Sequence, residues 1–332
     1  MSVSAEAPTA RPKRFLSGVQ PSGKLHLGNY FGAIRQHVEL QDEGESYYFI
    51  ANYHALTTIH DAALLLQNTR DVAATYLALG LDPKKATFFR QSDVPEVTEL
   101  AWLLSTVTGM GLLERAVSYK DKIARGLQAS VGLFTYPVLM AADILAYSSD
   151  VVPVGQDQVQ HVEMTQDMAE YFNNTFSCQV FRRPEFRLNK TAKVPGTDGQ
   201  KMSKSYGNTI GIFSAGSELK KSVMGIVTDS TPLEEPKDPS RCTVYALYGL
   251  FAAPEEMEAM GANYRKGGYG YGSAKKELLA KVDAYFAPYR EKRAQLLAHP
   301  DEIEDVLADG ARRARAEARK TLDAARHACG LA

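Results

Sequence analysis

Two lysines, Lys201 and Lys204, sit in the stretch "DGQKMSKSYGN" (Asp198–Asn208), among small hydroxyl residues and shortly after Pro195-Gly196. A loop with two cations at this spacing suits a reaction in which negative charge grows on phosphate oxygens. Taken alone, it also fits a solvated basic loop. A second stretch, "SGVQPSGKLHLGNYFGAI" (Ser17–Ile34), sets Pro21, Ser22, Gly23 and Gly28 between a short apolar run and a helical pattern. Backbone N–H groups at a helix start point outward, and the dipole there favours phosphate. Ser22, Gly23 and Gly28 are small enough for a ligand to approach the backbone, and His26 and Asn29 add side-chain donors. The spacing matches neither G-x-x-x-x-G-K-[ST] nor G-x-G-x-x-G. On this stretch alone an ordinary strand-to-helix turn is a fair competing reading.

These residues need a scaffold that places them at one edge. Phe15–Val19 reads as a strand, and Leu27 to about Glu43 has helical spacing through Phe31, Ile34 and Val38. "YYFIANYHALT" (Tyr47–Thr57) is aromatic and β-branched enough for a buried strand. A helical run follows and stops at Gly80 and Pro83. Further strands are expected at Ala86–Ser92 and Val151–Val154. Further helices are expected from Pro95, over Pro137–Tyr147, and over Asp157–Asn174. Alternation of this kind predicts an α/β fold with a doubly wound parallel sheet. From Ser214 onward only helical patterns appear, with loops expected at Thr231–Pro239 and Tyr264–Lys276. The expected organisation is a disordered tail over 1–12, a catalytic α/β domain over 13–209, a second, α-helical domain over 210–300, and a C-terminal helix over 301–332.

Bulk properties narrow the function classes. The 332 residues are 45% hydrophobic and 23% charged, with a formal net charge of −1. That is a chain long enough to bury a core without staples, and it lacks the overall basic field of a nucleic-acid coat. Any RNA contact must come from local patches. Cys178, Cys242 and Cys329 are widely spaced in sequence, odd in number and without a C-x-x-C pair. No disulfide framework or metal site is expected, and a reducing, cytoplasmic setting is. No apolar run approaches the roughly 20 residues of a membrane span.

Together the two lysine- and histidine-bearing stretches resemble the class I aminoacyl-tRNA synthetases. "HLGN" (His26–Asn29) is similar to the "HIGH" motif, and "KMSKS" (Lys201–Ser205) matches that family's second motif letter for letter. The likeness runs from Phe15 to the C-terminus. Asn29 departs from the idealised first motif, and "GN" at that place is typical of the tryptophanyl branch. The resemblance implies a Rossmann-like catalytic domain, a helical anticodon-binding domain and a homodimer. It implies activation of L-tryptophan by ATP, with Mg²⁺, and transfer to a cognate tRNA. "YPVLMAADILAY" (Tyr136–Tyr147) supports the choice of amino acid. Tyr136, Met140 and Asp143 fall at i, i+4 and i+7 and share a helix face. An ionised carboxylate only accepts hydrogen bonds and an indole N–H only donates. Tyrosyl enzymes carry Gln where Met140 stands.

Residue by residue, the resemblance implies that Lys201, Lys204 and His26 stabilise the reacting phosphates. It places Gln20, Pro21, Ser22, Gly28, Asn29, Gly155, Gln156, Asp157, Val194, Met202, Ser203 and Ser205 around ATP. It places Asp143, Tyr136, Met140, Gln158, His54, Val152 and Val154 around tryptophan. For His54 a satisfied half-buried histidine is the competing reading. Lys122 is a further phosphate candidate with a plain surface lysine as its alternative. Two basic segments are candidate tRNA surfaces: Arg265, Lys266, Lys275 and Lys276 with Tyr269 and Tyr271, and the arginine-rich Arg312–Lys320. A solvated helix face competes for both.

Overall fold

The computed structural model describes residues 11–117, 119–120, 130–188 and 194–331. Lys122 and the first ten residues of the expected tail lie outside the described residues. Arg11 is inside them: its guanidinium grips Asp150 through two 2.9 Å bonds and donates to Ser148 O at 3.0 Å.

The strands are β1 (Arg14–Val19), β2 (Glu45–Ile50), β3 (Ala86–Arg90), β4 (Val151–Val154) and β5 (Glu185–Leu188). They form one parallel sheet in the order β3-β2-β1-β4-β5. The chain winds outward from β1 in both directions, so strand order reverses between β1 and β4. Helices cover both faces, and β2 is apolar on both: Tyr48 and Ile50 belong to one core, Tyr47 and Phe49 to the other. Among the described residues β5 was not expected. Its Phe186 and Leu188 are exposed, so it lacks the apolar signature of a buried strand.

On the first face, α1 (Leu27–Asn29) runs through a π-turn (Tyr30–Ile34) into α2 (Arg35–Leu40). α3 (Asn52–Ala55) and α4 (Ala62–Ala78) follow β2. α5 (Glu96–Ser105) and α6 (Met110–Glu114) follow β3. α7 (Val131–Leu145) precedes β4, and α8 (Val159–Thr175) follows it. Asp61 and Ser130 cap α4 and α7 by accepting backbone N–H groups.

The rest is helical: α9 (Gly216–Met224), α10 (Thr243–Tyr248), α11 (Pro254–Lys266), α12 (Tyr271–Ala298) and α13 (Pro300–Ala328). The expected loop at Tyr264–Lys276 is shorter than its glycines and tyrosines suggested, because α11 and α12 leave only residues 267–270 between them. Leu278, Val282 and Phe286 of α12 join the core on the α1–α4 face of the sheet. α13 crosses the edge strand β3. Arg313 donates to Pro83 O at 2.6 Å and Ala86 O at 3.2 Å, which covers an edge that would otherwise be open.

Candidate active site

β1 and β4 pair through a single register position, Phe15↔Val151, whereas β1 and β2 pair along six. Beyond that position the two strands form no further register pair toward their carboxyl ends. A cavity of about 390 Å³ opens at these strand ends. Open α/β sheets bind ligands at this place, outside the strand ends where the order reverses. Ser17–Gln20 supply one wall and Val152–Gly155 another, with Asn29, Ala33, Ile34 and His37 from the α1–α2 helix. The far wall comes from His54 on α3 and from Tyr136, Met140 and Asp143 on α7, with Gln158 at the mouth. Gly18 has no side chain because the Phe49 ring fills the space; a Cβ there would lie 2.5 Å from it.

Asp143 is 2% exposed at the end of this cavity. Its Oδ2 accepts His54 Nε2 at 2.9 Å, and both its oxygens accept Gln91 Nε2, at 2.9 and 2.7 Å. Burial pushes this carboxyl upward, and the His54 and Gln91 hydrogen bonds oppose that rise. Tyr136 Oη is hydrogen-bonded to His161 Nε2 of α8. Burial holds His161 below the usual histidine range, and its Nδ1 is enclosed without a partner. Met140, Val152 and Val154 make the remaining surface apolar.

The two phosphate-suited stretches meet beside this cavity. Lys204 Nζ donates to Ser22 O at 2.9 Å and Gly23 O at 3.0 Å. Desolvation lowers the Lys204 ammonium from its ordinary range. An antiparallel strap holds the two stretches in register: Leu27 N–H donates to Ile210 O, Ile212 N–H to Leu25 O, and His26 faces Gly211. The lysine loop is built on buried Asn208. Its Oδ1 accepts Ser203 N–H at 2.8 Å, and its Nδ2 donates to Asp198 at 2.7 Å and to Lys201 O at 3.2 Å.

Asn29 turns its Oδ1 back to the His26 N–H at 3.0 Å, so it caps its own helix start as well as lining the cavity. His26 is neutral at pH 7, its pKa pushed down to about 4 by burial and then by the Lys204 charge. A Cβ on Gly28 would touch the His26 ring at 3.0 Å and Met202 at 3.5 Å, so glycine lets the two stretches close on each other.

The remaining sequence-derived candidates fall in three places. Gln156 and Asp157 are exposed on the single turn after β4, with Gln158 Nε2 donating to Asp157 at 2.9 Å. Pro21 and Ser22 form the turn after β1, and Ser203 and Ser205 share a hydrogen bond at 2.9 Å on the lysine loop. Val194 and Met202 are buried, and the Val194 carbonyl accepts Met202 N–H. Neither Val194 nor Lys201 lines the cavity; Lys201 is exposed and bridges Pro195. Sequence reasoning missed Gln91 and His161. Gln91 directly follows a parallel strand, and that position was the available signal.

The two basic segments differ in how much charge they leave free. Tyr269 and Tyr271 give their hydroxyls to Glu277 and Asp229, each at 2.7 Å, and Lys275 donates to Met224 O. Arg265, Lys266 and Lys276 are exposed and outside the ion pairs found among the described residues. On α13, Arg312 and Arg313 pair with Asp309, Arg315 and Arg319 with Glu96, Lys320 with Glu317 and Arg326 with Glu99. These six cations are thus all ion-paired, but they share four carboxylates, so the charge of the arginine-rich helix is offset in part.

The profile of the class I tRNA synthetases of the W and Y kind matches residues 8–287. The chain belongs to this family. It is 55% identical over 319 residues to a tryptophan–tRNA ligase of Rhodopirellula baltica, covering 96% of this chain and 99% of that one. It is 53% identical over 320 residues to a tryptophan–tRNA ligase of Fusobacterium nucleatum, covering 96% and 98%. The tryptophanyl-tRNA synthetase of Campylobacter jejuni, solved with ADP and tryptophan, superposes with a TM-score of 0.91 at 51% identity, covering 96% of this chain and all of that one. Family membership, the reversal of strand order between β1 and β4 and the docked lysine loop agree on where a nucleotide-dependent synthetase would do its chemistry.

Proposed function

We propose that this chain is a tryptophan–tRNA ligase: it joins L-tryptophan to AMP, releasing pyrophosphate from ATP, then passes the tryptophanyl group to the 3′-terminal ribose of its tRNA. The observation that carries this reading is Asp143, a buried carboxylate at the end of a cavity walled in part by Met140, Val152 and Val154 and next to the lysine loop. An indole N–H adds a donor to those of His54 and Gln91, and a phenylalanine ring leaves that remaining acceptor site of the buried carboxylate unmet, at a cost of about 1–3 kcal/mol.

In the first step the tryptophan carboxylate attacks the α-phosphorus. It is already ionised at neutral pH, so no general base is needed. Positioning and charge stabilisation do the work. Lys204, held above the Ser22–Gly23 turn, and Lys201 on the same loop face the growing phosphate charge. His26 is neutral and contributes as a hydrogen-bonding group rather than as a cation. Gln20, Pro21, Ser22, Gly28 and Asn29 on one side, and Gly155, Gln156 and Asp157 on the other, bracket the nucleotide. Met202, Ser203 and Ser205 border it, and Val194 shapes the base of the loop. Tyr136 and Gln158 receive the ammonium, and His54, Met140, Val152 and Val154 enclose the indole. Mg²⁺ enters with the triphosphate. Among the described residues no cluster of three His, Cys, Asp or Glu side chains is arranged to hold an ion, so phosphate oxygens and water would supply its ligands.

The tRNA-facing charge is assigned to Arg265, Lys266 and Lys276 on the helical region rather than to α13, whose cations are held in ion pairs. A homodimer is supported by apolar exposure on three elements that pack together. Trp102 on α5 is 69% exposed, Met110 on α6 63% and Val131 on α7 78%. Three free thiols suit a cytoplasmic setting. Among the described residues, no helix is long and apolar enough to cross a membrane. The test is ATP–pyrophosphate exchange driven by tryptophan or tyrosine, followed by aminoacylation of the purified tRNA. Exchange with tyrosine and not tryptophan would overturn the assignment.

A further inference from the structure

Gln91 directly follows β3 and is 1% exposed, so its amide has no water to turn toward. Its Oε1 accepts the backbone N–H of Tyr53 at 3.0 Å. A backbone N–H cannot accept, so this bond fixes which end of the amide is oxygen. The Nε2 end therefore faces Asp143, bridging both carboxylate oxygens at 2.9 and 2.7 Å. Next to it, Ser92 N–H donates to Asn52 Oδ1 at 3.0 Å and Asn52 Nδ2 donates to Ser92 Oγ at 2.7 Å. This reciprocal pair clamps the end of β3 to the start of α3, the helix that also carries His54. Asp143 thus faces fixed N–H donors from two elements, Gln91 after β3 and His54 on α3, while its own helix α7 delivers it to the cavity.

We propose that Gln91 is a positioning residue for amino-acid selection: its locked amide orients the Asp143 carboxylate and keeps it an acceptor, so that the cavity demands an N–H donor from the substrate. This rests on the tryptophan reading above and names the residue that enforces it. Gln91 stays behind Asp143, outside the cavity lining. Its influence passes through the carboxylate and through α3, whose Tyr53 N–H it holds beside His54. A carboxylate free to rotate or to pick up a proton can present an O–H or a misdirected lone pair, and its preference for an indole N–H falls. Hydrogen bonds to the charged form are what oppose the burial of Asp143, and Gln91 makes two of the three that it receives.

The test uses the full-length enzyme with Gln91→Met, close in volume but without the amide, and Gln91→Glu, close in shape but titratable. Amino-acid-dependent ATP–pyrophosphate exchange is measured with tryptophan and with its benzothiophene isostere, which carries sulfur in place of the N–H. For Gln91→Met, KM for tryptophan rises by about tenfold or more while KM for ATP stays within about twofold, and the preference for tryptophan over the isostere shrinks by about the same factor. For Gln91→Glu, the sign of the pH dependence reverses. Wild type loses tryptophan affinity on acidification as Asp143 protonates. Gln91→Glu loses it as pH rises, because two facing carboxyls can share a proton only while one is available. If Gln91→Met misfolds by thermal melt, the pH slope of Gln91→Glu decides. Wild-type discrimination and pH slope in both variants overturn the proposal. So does a loss shared equally by tryptophan and ATP. If wild-type enzyme exchanges with tyrosine and not tryptophan, the substrate reading itself falls, and this proposal with it.

Discussion

The ammonium of Lys204 lies 2.9 Å from the carbonyl oxygen of Ser22, joining the lysine loop to the turn after β1 across 182 positions of sequence. In the proposed reaction triphosphate oxygens would compete for the same ammonium, which desolvation has already made costly to keep charged without partners. Lys204→Ala should therefore lower the rate of tryptophan-dependent exchange by about 10²-fold or more, the size of effect seen when one preorganised donor is removed. KM for tryptophan should stay within about threefold, since Lys204 is not among the residues that line the cavity. Equal losses in both would place Lys204 in substrate binding instead.

Asp143→Asn keeps the shape of the carboxylate and removes half its acceptor capacity. Gln91 Nε2 addresses both oxygens and His54 Nε2 one of them, so whichever way the new amide turns, a donor faces a donor. The expected loss is about 10²-fold or more in kcat/KM for tryptophan, with KM for ATP nearly unchanged. Steady-state exchange with each substrate varied in turn reads it. A variant that keeps wild-type kcat/KM would remove Asp143 from indole recognition.

The contrast between Asp143 and Gln91 shows what was legible. Tyr136, Met140 and Asp143 share one helix face, so their convergence follows from helical spacing alone. His26 and the Lys201–Ser205 loop were recognisable because their residues are consecutive. Gln91 meets Asp143 only through the stacking of β3 beside β2 and the turn into α3, a relation with no local pattern. β5 was invisible because its outward faces carry Phe186 and Leu188 in solvent and it is held by pairing to β4. Tyr269 and Tyr271 looked like stacking platforms because aromatic rings among lysines carry that signal; their partners Glu277 and Asp229 lie 8 and 42 positions away. The arginines of α13 were ambiguous for the same reason, since Glu96 and Glu99 come from a distant helix.

His37 is fully enclosed, stacked on Tyr48 at 4.9 Å and hydrogen-bonded through Nδ1 to Tyr76 Oη at 3.1 Å. Burial lowers its pKa to about 4. A depressed histidine contributes stability that is present above its unfolded value near 6.5 and lost as pH falls through about 4. Over that window the unfolded chain takes up the proton first, and the gap corresponds to about 3 kcal/mol. Urea unfolding at pH 7, 5.5 and 4 should show stability falling along this slope. His37→Gln, which retains a hydrogen-bonding group but cannot charge, should make it shallower, the remainder belonging to the likewise depressed His26 and His161. An unchanged slope in the variant would assign the acid sensitivity to other groups.

Gly310 sits where α13 crosses β3, and a Cβ there would lie 1.8 Å from Phe88 O and 2.6 Å from Phe88 C. Two effects of Gly310→Ala oppose each other. Alanine favours a helix interior by about 1 kcal/mol. Forcing a methyl into backbone atoms costs about 1–3 kcal/mol, occasionally more. The obstacle here is the carbonyl of an edge strand rather than a side chain that could rotate away, so the steric term wins. α13 must lift from β3, weakening the Arg313 bonds to Pro83 O and Ala86 O as it does. Gly272 on α12 provides the control, because a Cβ there meets nothing within 4 Å. Thermal unfolding should show Gly310→Ala lowering Tm by several degrees, at about 2–4 °C per kcal/mol for a chain somewhat smaller than this one, while Gly272→Ala leaves it unchanged or slightly raised. If Gly310→Ala melts with wild type, α13 is not seated on the edge of the sheet as closely as the Phe88 contact requires.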